Sequence, residues 1–116
     1  MALLAGGASA AEAVLLPSGR SAELFETIGD GSDDIRLRYV SEGFDPQDVD
    51  PEDLLLDMTY LCELRAATFE NGNGRGRQIT VSIADRPAEF GVLNTDIRQS
   101  FEAFSIDAGT CIWEAF

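Results

Sequence analysis

Apolar and polar residues alternate over several short segments of the chain, and this alternation predicts β-strands. It is clearest over residues 78–84, where Ile79, Val81 and Ile83 are separated by residues that carry hydroxyl groups. Gly109 suits the left-handed position of a tight turn between the last two strands. The predicted strands cover residues 13–16, 21–28, 35–41, 78–84, 101–106 and 111–116.

A second period, close to 3.6 residues, begins after residue 50 and predicts one helix. Asp50 is a good N-cap, and Pro51 suits the first helical position because an N–H there would have no partner in the helix. Arg65 falls on the apolar face, so we expect its guanidinium to extend to solvent or to meet a buried carboxylate. The other residues on that face are Leu54, Leu55, Met58, Leu61, Cys62 and Phe69.

These elements predict one α+β domain over residues 13–116. Two hairpins flank the helix, so we expect an antiparallel sheet of about five strands with the helix packed on one face. Residues 1–12 precede this domain, and the strand order does not follow from the pattern.

The charge of the chain excludes several kinds of protein. Its 116 residues carry 21 carboxylates and 8 cations, for a net charge of −13, and every cation is an arginine. Without His or Lys there is no Ser-His-Asp triad, Schiff base or phosphate-binding Walker lysine. Nucleic acids and anionic membranes would be repelled, and a cationic partner is favoured.

The first residues resemble the end of a secretory signal. Small and apolar residues lead to Ala8-Ser9-Ala10, a cleavage pattern, and the first charge follows at Glu12. A basic segment before them is missing, so we interpret residues 1–12 as the remnant of a signal peptide, shortened in this copy. The alternative is a flexible tail rich in Ala and Gly.

Two cysteines, Cys62 and Cys111, form no metal-binding or redox motif. In an exported protein they would form a disulfide, which we predict here. The alternative is a pair of buried free thiols, since Cys packs well as a small apolar residue.

Residues 42–57 contain seven carboxylates and no cation. Such a segment can hold Ca²⁺, although its spacing does not match the EF-hand. We therefore expect mainly a helix cap and a solvated acidic surface, and no metal site. Paired carboxylates beside Trp113 or Tyr39 would be the elements of a glycosidase, which makes a hydrolase the enzymatic alternative.

Asp85, Arg86 and Trp113 are the candidate recognition residues. Asp85 and Arg86 stand between a strand and Pro87, where the arginine can anchor the segment that follows. Trp113 is the only tryptophan, and a ring of this kind serves at binding surfaces as well as in cores.

Distinctive motifs of the C-terminal half are residues 81–87 (VSIADRP) with Phe90-Gly91, residues 101–104 (FEAF) and residues 109–116 (GTCIWEAF). Through them and Cys62, the chain from about residue 14 to its end resembles a family of short exported bacterial proteins of unknown function. The resemblance implies export and a Cys62–Cys111 pair. It carries no established activity, so no catalytic residue is assigned.

The sequence therefore predicts a small periplasmic or secreted protein that is not an enzyme and acts by protein recognition, without a cofactor. We expect an envelope protein or a cationic molecule as partner, and neither nucleic acid nor a membrane span. The alternatives are a carboxylate-based hydrolase of a cell-envelope glycan and a calcium-dependent structural module.

Overall fold

A computed structural model describes residues 13–29, 33–69, 78–92 and 94–114. The proposed signal remnant or tail, residues 1–12, lies outside them. The described part contains six strands, one α-helix and a 3₁₀ turn at Pro46–Asp48. In chain order these are β1 Ala13–Leu15, β2 Ser21–Ile28, β3 Asp34–Val40, α1 Pro51–Phe69, β4 Gln78–Ala84, β5 Gln99–Asp107 and β6 Thr110–Trp113.

The six strands form a single mixed sheet in the order β1-β2-β3-β4-β5-β6, curled into a half-barrel. The expected antiparallel sheet of about five strands in two hairpins is therefore wrong. β3 and β4 are parallel neighbours, with Ile35 opposite Ile79 and Tyr39 opposite Ile83. The physical reason is the long connection between them, which holds α1 and returns the chain to the end of the sheet where β3 began.

The helix covers one face of this sheet, which we call the inner face. Alternate residues of β3 and β4 point to it and are fully buried, as the alternation of their sequences requires. The helix supplies the facing side of the core. The core residues from these three elements are Ile35, Leu37, Tyr39, Met58, Leu61, Cys62, Ala66, Ile79, Val81 and Ile83.

Two predicted local features are confirmed. Asp50 caps α1, since its Oδ1 accepts hydrogen bonds from the backbone N–H of Glu52 at 2.8 Å and of Asp53 at 3.4 Å. Gly109 has a φ of 83° in the β5–β6 turn, beside Ala108 at 54°. Two consecutive left-handed residues are typical of the tight hairpin turn that matches the twist of the strands.

Asp57 fastens the β1–β2 turn to the helix. Its carboxylate accepts hydrogen bonds from the Ser18 backbone N–H at 3.0 Å and from the Ser18 hydroxyl at 2.6 Å. Asp57 is only 1% exposed, so these two bonds replace the water that the carboxylate has lost.

The predicted disulfide is present. Cys62 of α1 and Cys111 of β6 are joined across 49 positions, and both are buried. Glu63, the next residue of the helix, accepts a hydrogen bond from the Cys111 backbone N–H at 3.1 Å. The last strand is thus attached to the helix covalently and by a hydrogen bond.

Arg65 is half-buried on the core-facing side of α1. Its Nε is buried and has no hydrogen-bond partner among the described residues, where no carboxylate forms a salt bridge with it either. Burial raises the pKa of the Tyr39 phenol, and the nearby charge of Arg65 partly opposes that rise. No helix in the described part of the chain is long and apolar enough to cross a membrane.

Replacing Asp57 should destabilise the protein more than replacing an exposed acid of the same helix. Asp57→Ala leaves the Ser18 N–H and hydroxyl without their acceptor, which should cost about 2 kcal/mol in the free energy of unfolding measured by urea denaturation. Asp53→Ala, an exposed position in the first turn, is the matched control and should cost less than about 1 kcal/mol. Equal losses in the two variants would show that the Asp57–Ser18 contact does not stabilise the fold.

The disulfide should account for much of the stability of so small a domain. The double variant Cys62→Ala/Cys111→Ala should lose about 4 kcal/mol of unfolding free energy, the value expected from closing a loop of this length in the unfolded chain. Reductant should destabilise the wild type by a similar amount and leave the variant unchanged. A variant as stable as the oxidised wild type would contradict this role.

Candidate functional site

The face of the sheet opposite the helix, which we call the outer face, carries the polar residues that alternate with the core. Arg36 and Arg38 of β3 lie opposite Thr80 and Ser82 of β4, and Phe101 of β5 lies opposite Ser82. All five line a cleft of about 170 Å³, which we call the roofed cleft.

The roof is the segment between β4 and β5, and Arg38 fastens it to the sheet. One terminal nitrogen of Arg38 forms a salt bridge with Glu26 of β2, and the other donates a hydrogen bond to the carbonyl oxygen of Ala88 at 2.8 Å. The side chain of Arg38 is only 14% exposed. Its role is therefore structural, because both ends of its guanidinium are occupied.

Aromatic rings stand beside both arginines. Phe90 in the roof has its ring centroid 5.2 Å from the guanidinium carbon of Arg36 and 5.5 Å from that of Arg38. Phe25 lies 5.4 Å from Arg38, at a β-bulge between Leu24 and Glu26 of β2. These distances are typical of cation–π contacts, and both rings are about half exposed.

A second cleft, of about 510 Å³, adjoins the first, and no segment in the described part of the chain covers it. We call it the open cleft. It shares Arg36, Thr80 and Phe101 with the roofed cleft. Trp113 borders it at the sheet edge, with its side chain on the same side of the sheet as Phe104. The indole N–H of Trp113 donates a hydrogen bond to Oε1 of Glu102 at 2.8 Å, which fixes the orientation of the ring.

Arg36 differs from Arg38 in having no salt-bridge partner in the described part of the chain. It is half-buried where the two clefts meet, with the Phe90 ring as its neighbour. A guanidinium in this position has hydrogen-bond donors to offer to an anionic ligand.

Asp85 and Arg86, two of the predicted recognition residues, pair with each other. Nη2 of Arg86 lies 3.0 Å from Oδ2 of Asp85. Asp85 also accepts a hydrogen bond from the Arg98 backbone N–H at 3.2 Å, and Arg98 forms a salt bridge with Asp45 at 2.8 Å. The pair thus lies where the segment between β4 and β5 is fastened at both its ends. The Arg86 guanidinium holds the pKa of Asp85 below its ordinary value, and Asp85 in turn raises the pKa of Arg86.

The structure does not bring Trp113 to that pair. Trp113 lies opposite Phe104, which lies opposite Ile79 near the start of β4. Asp85 follows the other end of the same strand, about 20 Å from Ile79 at the usual rise per residue. The three predicted residues therefore belong to two separate places on the surface.

The acidic stretch 42–57 is divided among unrelated tasks. Asp45 accepts a hydrogen bond from the Gln47 N–H and pairs with Arg98, Asp50 caps α1, and Asp57 binds Ser18. Within the described ranges no three Asp, Glu, Cys or His side chains are grouped so that they could hold a metal ion. The calcium alternative thus finds no site in this part of the chain.

A family model described as "Family of unknown function (DUF6497)" matches residues 2–116. The chain belongs to this family. No curated protein and no solved structure matches it significantly.

In this DUF6497 chain the distinctive sequence motifs contribute directly to both clefts. Residues 81–87 supply Ser82 to the roofed cleft, residues 101–104 supply Phe101 to both clefts, and residues 109–113 supply Trp113 to the open cleft. Arg36 was not among the site residues predicted from the sequence. The signal was present, because Arg36 alternates with Ile35 and Leu37 and so had to point away from the core.

The lowered pKa of Asp85 predicts a pH-dependent contribution to stability. Because the folded pKa lies below its ordinary value of 3.8, the charged carboxylate stabilises the fold above that pH. The contribution is lost as the pH falls through the folded pKa. Asp85→Asn should therefore lower Tm at neutral pH and leave it nearly unchanged well below the ordinary pKa. Asp53→Asn, which removes the same charge from an exposed position, should change Tm at neutral pH less than Asp85→Asn does. A constant Tm difference for Asp85→Asn at every pH would contradict the assignment.

Proposed function

We propose that this protein is an exported, non-enzymatic binding protein that recognises a partner through the outer face of its sheet. The observation that carries the proposal is the pairing of charge and aromatic surface there. Phe25, Phe90 and Phe101 are exposed around Arg36 and Arg38, and the helix lies on the opposite side of the sheet. Aromatic residues and Arg are the types most enriched at protein interfaces.

The disulfide supports export. Cys62–Cys111 is buried and holds an edge strand of the sheet to the helix, so the oxidised state belongs to the folded core. Disulfides of this kind persist in oxidising compartments and are rare in the cytosol. The signal-like residues at the start of the chain agree with a periplasmic or secreted location.

The polarity of the outer face refines the kind of partner. The net charge of −13 favours a cationic molecule at long range, but the clefts themselves carry guanidinium groups. We propose an envelope protein that presents apolar surface and a negative charge to this face. The overall charge then limits non-specific association with polyanions.

The composition of the open cleft favours recognition over glycan hydrolysis. A glycosidase needs two carboxylates about 5–9.5 Å apart beside the substrate. Glu102 is the carboxylate that lines this cleft among the described residues, and the Trp113 indole already occupies one of its oxygens. We therefore propose that the open cleft does not hydrolyse glycans.

Two variants matched in exposure test the proposal. The protein is expressed in its native host, and its partners are captured by cross-linking in the periplasmic fraction. Phe101 on the outer face is 64% exposed and Leu56 on the outside of α1 is 59% exposed. Phe101→Ser should reduce capture of the specific partner at least tenfold, and Leu56→Ser should leave it unchanged.

Two results would contradict the proposal. Recovery of the wild type from the cytosolic fraction alone would overturn export. Equal capture by wild type and Phe101→Ser, with both folded by circular dichroism, would show that the outer face is not the recognition surface.

A further inference from the structure

We propose that Arg36 binds the carboxylate of a monoanionic ligand whose apolar or aromatic part lies in the open cleft against the ring of Phe101. This assignment rests on the proposed function, since it names the chemistry recognised at the same face. The ligand is a free aromatic acid or the C-terminal residue of a polypeptide, which share this chemistry.

The contrast between the two arginines of β3 indicates that Arg36 is available to a ligand. Arg38 has Glu26 on one terminal nitrogen and the Ala88 carbonyl on the other. Arg36 has no carboxylate in salt-bridge range within the described residues and stacks near Phe90. The planar guanidinium can therefore give two parallel N–H donors to a carboxylate, the geometry that arginine favours.

Hydroxyl groups beside Arg36 complete the polar part of the site. Thr80 lies directly opposite Arg36 in the parallel register, lines both clefts and is 8% exposed. Ser82, two residues further along β4, lines the roofed cleft. Each hydroxyl can donate a hydrogen bond to an anionic oxygen. These groups stand on adjacent strands of a sheet, so their spacing is fixed before a ligand arrives.

The surrounding charge selects a single negative charge over a higher one. Glu89 lines the roofed cleft and Glu102 lines the open cleft, and the whole chain carries −13. Each further charge on a ligand would be repelled by these carboxylates, whereas one carboxylate is matched by the guanidinium of Arg36. The exposed ring of Phe101 then provides contact area for the rest of the ligand.

The test uses the fluorescence of Trp113, the only tryptophan, in titrations of the intact oxidised protein. The probes are N-acetylphenylalanine, its uncharged amide, inorganic phosphate and a tetrapeptide that ends in phenylalanine with a free carboxylate. We expect the acid to bind at least tenfold more tightly than the amide and phosphate. Tighter binding of the tetrapeptide than of the acid identifies a polypeptide terminus as the source, and the reverse identifies a free acid; either supports the site.

Variants connect the binding to Arg36. Arg36→Gln should weaken binding of the acid at least tenfold and leave the amide unchanged, and Arg36→Lys should restore part of the loss. Arg20→Gln removes the same charge outside both clefts and should bind as the wild type does. If Arg36→Gln does not fold, Thr80→Val, which removes one hydroxyl at nearly constant volume, should weaken the acid about threefold.

The results separate this assignment from the proposed function. Equal affinity for acid and amide, tighter binding of phosphate, or no binding of any probe would overturn the carboxylate site. In those cases loss of partner capture by Phe101→Ser would still uphold recognition through the outer face. Binding of the acid that depends on Arg36, with capture unaffected by Phe101→Ser, would uphold the site and overturn the proposed protein partner.

Discussion

The parallel pairing of β3 with β4 is the constraint on which the rest of the structure depends. Parallel neighbours need a connection that crosses the sheet, and the chain uses α1 for it. A helix that returns over one face buries that face, and no helix in the described ranges covers the other. The division into a stabilising inner face and a chemically varied outer face follows from this one connection. Both clefts lie on β3, β4 and β5, the central strands of the sheet.

The residues of the inner face and of the helix core can be predicted from the sequence, because alternation and the 3.6-residue period indicate which side chains are buried. The cap at Asp50 also follows from residue type. The Cys62–Cys111 pair was predicted from the two cysteines taken together with the signal-like start and the family resemblance. The direction of β4 could not be predicted, since alternation gives the faces of a strand and says nothing about which way it runs beside a neighbour. A helix of 19 residues between two strands was the available indication of a parallel pair.

Which residues share the outer face could be predicted from the sequence, but the roles of those residues could not. Arg36 and Arg38 had to share it, because both alternate with core residues of β3. Their different roles depend on tertiary contacts: Ala88, which occupies Arg38, is 50 positions away in the chain. The same limit applies to the acidic stretch, where Asp45, Asp50 and Asp57 form one dense run of charge and yet contact three different parts of the molecule. A run of like charge is therefore a weak guide to a metal site.

Rigidity of the sheet edge is what allows so small a domain to keep an exposed cleft. β6 is short and lies at the edge, where an isolated strand would fray and Trp113 would move with it. The disulfide at Cys111 and the hydrogen bond to Glu63 hold that strand two residues before Trp113. At the other side, Arg38 holds the roof through Glu26 and Ala88. Arg36 thus lies between the roof and the sheet edge, both of which are held in place. A site whose surroundings are already ordered loses less entropy when a ligand binds.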